Sequence, residues 1–290
     1  MLNLTAARAC AAAGLILALS AAPTAAEPLA FKGAESVRIE GFPDEAMEPF
    51  LSRDGKYLFF NTRNDIANTN IHFAEATDAG FAFKGVLYGT ISYDLDATPT
   101  MAADGRLCFV SPREYRRTRV SVFCGQFDGK KVNNTASQPT LATERMGRLI
   151  FDVELSADGK TMIFAEGTFS GGSTPDDADL FIAKLTPKGY ERTHEGRRIF
   201  ANVNTPGDLE YAPALSADEL ELFFTRPSGI WPFAQPKIFR AIRSNPDEPF
   251  GKPVELKIDG YVEGPTLAPD GTLYFHKKVG GRFEIWRQPR

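Results

Sequence analysis

Carboxylates recur just ahead of five similar segments of the chain, and they are the residues best suited to chemistry. They are Glu45 and Glu48, Asp94 and Asp96, Asp152 and Glu154, Glu210, and Glu263. Side chains of this type bind a cation or a polyol, and a suitably spaced pair carries out glycoside hydrolysis. The alternative is that each one caps a turn by accepting backbone N–H groups. The fold decides whether they meet.

The elements that must position these carboxylates are five copies of one strand–turn–strand unit. The turn residue pairs are Asp54-Gly55, Asp104-Gly105, Asp158-Gly159, Asp218-Glu219 and Asp270-Gly271. Asp-Gly suits a tight turn between antiparallel strands, because both residues tolerate positive φ. Strand units that recur every 50 to 60 residues are typical of propeller blades. We therefore predict an all-β, five-bladed β-propeller of four-stranded antiparallel blades.

The predicted organisation is a signal peptide followed by one propeller domain. The signal peptide covers residues 1–26 and the domain covers 27–290, with blades at about 45–90, 91–145, 146–205, 206–258 and 259–290. The last blade lacks a fourth strand, because the chain stops soon after its third. We expect the segment Glu35–Glu40 to supply that strand, which closes the ring and removes an exposed sheet edge.

The first residues of the chain predict export. A single charge, Arg8, precedes an apolar run from Ala9 to Ala22, and small residues lead up to Ala26. This pattern is typical of a cleaved signal peptide, so we expect a periplasmic or secreted protein. No later segment has the roughly 20 apolar residues of a membrane span. The net charge of −4 argues against a nucleic-acid partner, and we expect a monomer.

The repeat resembles the TolB-type, WD-repeat-like propeller repeat of exported bacterial proteins. The fourth copy carries the resemblance most clearly, through Val203-Asn204-Thr205, Glu210-Tyr211-Ala212-Pro213 and the run from Leu222 to Pro227. The resemblance covers the chain after the signal peptide. It implies the propeller fold and a binding or scaffold role, and it assigns no specific chemistry, because repeats of this kind serve many functions.

The leading functional hypothesis is a non-catalytic binding module for a protein or a polysaccharide of the cell envelope. The loops between second and third strands share one face with the segments that lead into the innermost strands, and they vary most between copies. One loop carries Arg113, Arg116 and Arg117, which suit an anionic partner, and another carries Trp231 and Phe233, which suit a sugar or a protein. We expect the same face to carry the acidic mouth of the channel: Glu48, Asp96, Asp152, Glu210 and Glu263.

A glycosidase-like hydrolase is the alternative, and a purely structural accessory subunit is a third. The tripeptide Glu263-Gly264-Pro265 is similar to the general-acid motif of five-bladed glycosidases of the arabinanase type. That resemblance would make Glu263 the acid, with Asp96 and Asp152 as candidates for base and pKa modulator. The chain lacks the motifs of serine and zinc hydrolases, and His72, His194 and His276 are scattered over different blades. Ordinary packing is the expectation for His276.

The sequence predicts no organic cofactor. One loop, Gly171 to Asp179, could hold calcium through Asp176, Asp177 and Asp179, although it lacks the spacing of an EF-hand loop. No metal at all is the alternative expectation for this loop.

Two cysteines remain beyond the signal peptide, and they test the strand register of the second blade. If Cys108 lies opposite Cys124, then Phe109 faces Phe123 and Val110 faces Val122, so that every pair matches in kind. Because side chains alternate along a strand, the phenylalanines would face one neighbouring blade, and the cysteines and valines the other. The expectation is a cross-strand disulfide, with two buried free thiols as the alternative.

Overall fold

A computed structural model describes residues 31–64, 69–172, 174–230 and 233–290, so the predicted signal peptide lies outside it. Five sheets form the fold, and each contains antiparallel strands that follow one another in the chain; strands from residues 35–40 are added at the outer edges of two of them. The predicted five-bladed β-propeller is confirmed. No helix in the described ranges is long and apolar enough to cross a membrane.

The strands are assigned to blades as follows. The first blade has β3 (Met47–Leu51), β4 (Tyr57–Asn61), β5 (Ile71–Thr77) and β6 (Gly80–Val86). The second has β7 (Ala97–Met101), β8 (Arg106–Val110), β9 (Val122–Phe127) and β10 (Val132–Ser137). The third has β11 (Arg148–Leu155), β12 (Thr161–Thr168), β13 (Asp177–Thr186) and β14 (Gly189–Arg192).

The last two blades complete the ring. The fourth has β15 (Tyr211–Leu215), β16 (Glu221–Ser228), β17 (Gln235–Ile242) and β18 (Val254–Glu255). The fifth has β19 (Val262–Leu267), β20 (Leu273–Val279), β21 (Arg282–Gln288) and, from the start of the chain, β1 (Glu35–Ser36). The short helices are 3₁₀ turns at Pro112–Glu114 and Pro139–Leu141, and α-helical turns α1 (Tyr115–Thr118) and α2 (Gly196–Ile199).

The innermost strands line a central channel. Contacts run from β3 through β7, β11, β15 and β19 and back to β3, so the ring is closed. Apolar side chains fill the five spaces between successive blades, with one buried cluster in each. The Asp-Gly turns and the third-to-fourth strand connections lie on one side, the turn face. The lead-in segments and the second-to-third strand loops lie on the other, the loop face.

The predicted closing segment splits between two blades. Glu35 and Ser36 pair with Arg287 and Trp286 of β21, which completes the fifth blade as expected. The chain then crosses to the first blade, where β2 (Ile39–Glu40) runs parallel to the outer strand β6. Only the start of the predicted segment therefore closes the last sheet. The remainder ties that sheet to the first blade.

The register predicted for the second blade is confirmed. Cys108 lies opposite Cys124, with Phe109 opposite Phe123 and Val110 opposite Val122. The two cysteines form a disulfide with their Cα atoms 4.1 Å apart. The cysteines and valines pack with the third blade, and the two phenylalanines pack with the first.

Three of the five hairpin turns share a serine–aspartate device. In the third blade Ser156 Oγ donates to Asp158 Oδ1 (2.7 Å), which also accepts the Lys160 N–H (3.0 Å). The same serine oxygen accepts the N–H of Thr161, the first residue of β12. Equivalent bonds join Ser52 to Asp54 and Ser216 to Asp218. In the fourth turn Glu219 takes the glycine position with a φ of 60°.

The carboxylate of Asp158 in one such turn should stabilise the protein in a pH-dependent way. The Lys160 N–H, followed by the Ser156 hydroxyl, lowers the pKa of Asp158 to about 2. Its stabilisation is therefore present above about pH 3.9, the unfolded value, and is lost as the pH falls through about 2. We expect Asp158→Asn to lower the free energy of unfolding by about 1 kcal/mol at pH 6, allowing for solvent screening. Urea unfolding at pH 6 and pH 2 measures the difference.

The matched control for this prediction is Asp78→Asn, which removes an exposed carboxylate from a different strand connection. It should leave the free energy of unfolding unchanged at both pH values. A loss for Asp158→Asn that is as large at pH 2 as at pH 6 would contradict the ionic origin of the effect.

Candidate functional site

Four of the five innermost strands are kinked at the residue that precedes a proline. These residues are Glu48, Thr98, Ala212 and Gly264, with φ values between 48° and 64°. The pairing with the second strand shifts at each of them, as in a β-bulge. The third blade has Val153 in place of the proline, and its shift comes earlier, between Ile150 and Asp152. The bulges turn backbone N–H groups out of their own sheets.

Each of these four N–H groups donates to a side chain of the preceding blade. The acceptors are His276 Nδ1 for Glu48 (3.2 Å), Asn61 Oδ1 for Thr98 (3.1 Å), Asp152 Oδ2 for Ala212 (2.9 Å) and Thr225 Oγ1 for Gly264 (3.2 Å). Buried backbone N–H groups need partners, so these bonds fix each blade against the next. They also place Glu48 and Asp152 at the same level of the channel.

An ion pair closes the turn-face end of the channel. Arg53 follows β3 and reaches across to Glu154 on β11, with Nη2 3.0 Å from Oε1. Glu154 also accepts the Thr100 hydroxyl (2.9 Å) and the Leu215 N–H (3.3 Å), so it joins four blades. Both charged side chains are largely buried. The ion pair thus crosses the channel on the side of the turn face.

Above this plug the channel has a cavity of about 30 Å³. That volume suits an ion or one to two water molecules rather than a sugar ring. Its polar walls are Glu48, Thr98, Asp152, Glu154 and Thr266, and its apolar walls include Pro49, Pro99, Pro213 and Pro265. The prolines that follow the bulges thus narrow the channel around the carboxylates.

Glu48 belongs to a second cluster beside the cavity. Oxygens of Glu48 and Glu263 and a ring nitrogen of His276 all lie within 4.8 Å of one another. It is the one group of three metal-ligand side chains with this spacing in the described residues. His276 is fully buried and Glu263 is 9 % exposed. A Cβ on Gly264 would lie 2.6 Å from Glu48 Oε2 and 2.8 Å from His276 Nδ1, so the cluster needs a glycine there.

The carboxylates of the channel disfavour each other's ionisation. Burial raises the pKa of Glu48 to about 6; nearby Glu263 adds to the rise and His276 opposes it. Burial also raises the pKa of Asp152 well above its ordinary value, and the charge of Glu48 adds to it against the Ala212 N–H. These carboxylates therefore hold protons at a higher pH than exposed ones.

Hydrogen bonding fixes the tautomer of His276. Because Nδ1 accepts the Glu48 N–H, the ring proton of the neutral imidazole sits on Nε2, which is 3.6 Å from Glu263 Oε1. Burial lowers the pKa of His276, but Glu48 and Glu263 outweigh it and the net direction is upward. Burial and then Glu263 raise the pKa of Tyr211 and Tyr261, which remain neutral phenols beside the cluster.

The structure brings together three of the predicted carboxylates, Glu48, Asp152 and Glu263. The other two are each tied to an arginine: Asp96 pairs with Arg113, and Glu210 Oε1 lies 2.8 Å from Arg226 Nε. Each arginine lies over a phenylalanine of its own blade, Arg113 over Phe123 (4.8 Å) and Arg226 over Phe239 (5.0 Å). Asp96, Glu210 and Arg113 thus anchor their blades rather than line the cavity.

The remaining predicted residues lie elsewhere. Arg116 and Arg117 are exposed on the loop face, as is Phe233, and Trp231 lies outside the described residues. In the predicted calcium loop Asp177 pairs with Arg148 (2.8 Å), and Asp176 accepts the Ser170 hydroxyl (2.5 Å). Asp176, Asp177 and Asp179 do not form a group within ligand distance. Calcium at this loop stays a prediction.

Residues that sequence reasoning missed include His276, Tyr211, Tyr261 and the Arg53–Glu154 plug. One signal existed for His276. It lies towards the end of a second strand, as Asn61 and Thr225 do in their own copies, and all three side chains accept hydrogen bonds. The plug had no such signal, because it joins a turn residue of one blade to the innermost strand of another.

Comparisons with known proteins identify the fold and no family. No protein-family model matches the chain, and no curated protein is detectably similar in sequence. A putative exo-β-1,3-galactanase from Bifidobacterium bifidum has a TM-score of 0.56 at 12 % identity, covering 88 % of this chain and 91 % of that one. The arabinanase Arb43A of Bacillus subtilis has a TM-score of 0.53 at 12 % identity, covering 89 % and 96 %. These likenesses concern the fold alone.

No family model supports the TolB-type resemblance. A putative TolB from Agrobacterium tumefaciens has a TM-score of 0.47 at 14 % identity, covering 81 % of this chain and 70 % of that one.

The hydrogen bond between the last and the first blade can be tested by two substitutions. His276→Leu leaves the buried Glu48 N–H without an acceptor, so we expect it to lower the free energy of unfolding by about 2 kcal/mol. His276→Asn should cost less, because the amide oxygen of Asn61 accepts the corresponding N–H in the second blade. Urea unfolding compares them. Equal losses would show that the bond does not matter.

Proposed function

We propose that this protein is an exported binding module that recognises a protein of the cell envelope through its loop face. The observation that carries the proposal is the distribution of exposed apolar side chains. Seven of the nine large ones among the described residues lie in loop-face connections or at their edges: Tyr88, Ile91, Tyr93, Met146, Ile230, Phe233 and Val279. Tyr93 is fully exposed and Phe233 is 83 % exposed. Exposed apolar side chains that form a patch on one face of a protein mark interaction sites.

The chemistry of this face suits a protein better than a polysaccharide. Four of the seven apolar residues are aliphatic or Met, which pack against other apolar side chains but do not offer the flat ring on which a sugar stacks. Arg116 and Arg117 add positive charge to the same face. We therefore expect a partner surface that combines apolar and acidic residues. The Cys108–Cys124 disulfide supports an oxidising compartment for this encounter.

A glycoside hydrolase is the second candidate, and a separate observation favours it. The pKa of Glu48 is raised to about 6 and that of Asp152 lies well above the ordinary value, which is the kind of tuning that acid–base catalysis uses. Glycosidases are among the propellers of similar architecture. The narrow cavity speaks against this candidate, since a sugar ring would need wider walls.

Site-specific photo-crosslinking in cells tests the binding proposal. A photoreactive residue in place of Tyr93 or Phe233 should capture an envelope protein, and one in place of Leu185, which is exposed on the turn face, should not. With the partner identified, Tyr93→Ala and Phe233→Ala should each weaken binding about tenfold, and Leu185→Ala should leave it unchanged. Equal capture at both faces would contradict the proposal.

Release of reducing sugars tests the hydrolase. The purified protein is incubated with arabinan, galactan and envelope polysaccharides, and the binding proposal predicts no product above the buffer blank. Hydrolysis that disappears in Glu263→Gln but persists in Glu210→Gln would establish the second candidate instead. Glu210 is the appropriate control because its carboxylate is buried in an ion pair away from the cavity.

A further inference from the structure

The buried acids of this protein fall into two groups. Four of them face arginine: Asp96 with Arg113, Glu154 with Arg53, Glu166 with Arg148 and Arg192, and Glu210 with Arg226. Asp152 and Glu263, which are buried, and Glu48, which is half-buried, have no Lys or Arg ion pair within the described part of the chain, and His276 lies beside Glu48 and Glu263. Burying carboxylates without a counter-charge is costly, so this group calls for a cation.

Two threonine hydroxyls beside these carboxylates lack hydrogen-bond partners, which is an independent observation. Thr266 and Thr98 both line the cavity beside Glu48 and Asp152. The hydroxyl oxygen of each is buried and has no hydrogen-bond partner, and Thr266 is only 2 % exposed. Together these four side chains come from four different blades, so their oxygens surround the channel axis.

The histidine is not available as a ligand. A metal-bound neutral imidazole uses the lone pair of one nitrogen and carries its proton on the other. Here the Nδ1 lone pair accepts the Glu48 N–H, and the ring proton therefore occupies Nε2. The donors that remain are all oxygens, which favours a hard cation such as Ca²⁺ over Zn²⁺.

We propose that the channel binds one Ca²⁺-like cation through Glu48, Asp152 and the hydroxyls of Thr98 and Thr266, with Glu263 completing the negative charge. The cavity of about 30 Å³ is large enough for such an ion with a water molecule. Glu154 also lines the cavity, but its charge is already paired with Arg53. A cation there offsets the mutual repulsion of the three carboxylates.

Calorimetric titration of the chelator-treated full-length protein with CaCl₂, together with its melting temperature in Ca²⁺, Mg²⁺ or Zn²⁺, tests the proposal. We expect one Ca²⁺ per chain with a Kd of about 10⁻⁴ to 10⁻³ M, the range of extracellular modules. At tenfold excess over Kd the melting temperature should rise by about 3 °C. Zn²⁺ at the same concentration should not produce a larger rise.

Variants locate the site. Asp152→Asn keeps an oxygen for the Ala212 N–H and Glu48→Gln keeps the side-chain shape, and each should weaken Ca²⁺ binding at least tenfold. Neither variant should melt at a lower temperature than the chelator-treated wild type, because each removes like-charge repulsion. A lost response to Ca²⁺ would therefore not be due to misfolding. Thr266→Val should weaken binding severalfold. Asp176→Asn and Asp179→Asn, in the loop predicted to hold calcium, should leave it unchanged.

Three outcomes would overturn the proposal. The first is no heat and no melting shift with 10 mM Ca²⁺, about ten times the weakest expected Kd. The second is a Ca²⁺ response that survives in Asp152→Asn and Glu48→Gln but is lost in Asp176→Asn, which would move the site to that loop. The third is a preference for Zn²⁺ that is lost in His276→Asn, which would make the histidine a ligand.

Discussion

The hydrogen bond between a bulged backbone N–H and a side chain of the neighbouring blade is the contact on which the rest of this propeller depends. An N–H that has left its own ladder must find an acceptor, and in four blade junctions the acceptor comes from the blade before it. Apolar packing between blades is non-directional and would tolerate small rotations. The bulge bonds do not. They set the angular position of each blade and, through it, the width of the channel.

The blades and the channel differ in how they accommodate carboxylates in the protein interior. Asp96 and Glu210 face arginines whose guanidinium groups lie over two paired phenylalanines of the same blade, Arg113 over Phe109 and Phe123 and Arg226 over Phe224 and Phe239. Beside Glu48 and Asp152 the channel wall offers no such aromatic pair, because it is made largely of prolines and bulged backbone. Burial, and after it the Coulombic repulsion of neighbouring carboxylates, raises the pKa of Glu48 and Asp152. The protein thus separates acids that hold it together from acids that are free to interact.

Sequence reasoning reached the fold because its signals are local and repeated. Asp-Gly turns at regular intervals fix the hairpins, and the matched pairs around Cys108 and Cys124 fix one register. The candidate site was only partly accessible. Glu48, Asp152 and Glu263 could be named from their position ahead of the innermost strands. The arginine partners of Asp96 and Glu210 could not, since an ion pair depends on side-chain directions that strand periodicity does not specify. The role of His276 required knowing that the innermost strands are bulged and that their N–H groups turn towards the neighbouring blade.

The start of the chain has a role that is larger than its two short strands suggest. Glu35 meets Arg287, a residue 252 positions later, and Ile39 then pairs with the outer strand of the first blade. The outer edge of the last blade is the strand β21. It stays exposed until Glu35 and Ser36 have paired with it. During synthesis an incomplete ring presents an open strand on each side, which is the form most prone to pair with another chain. For a molecule built in this way, the ring becomes a closed object only when β21 pairs with β1.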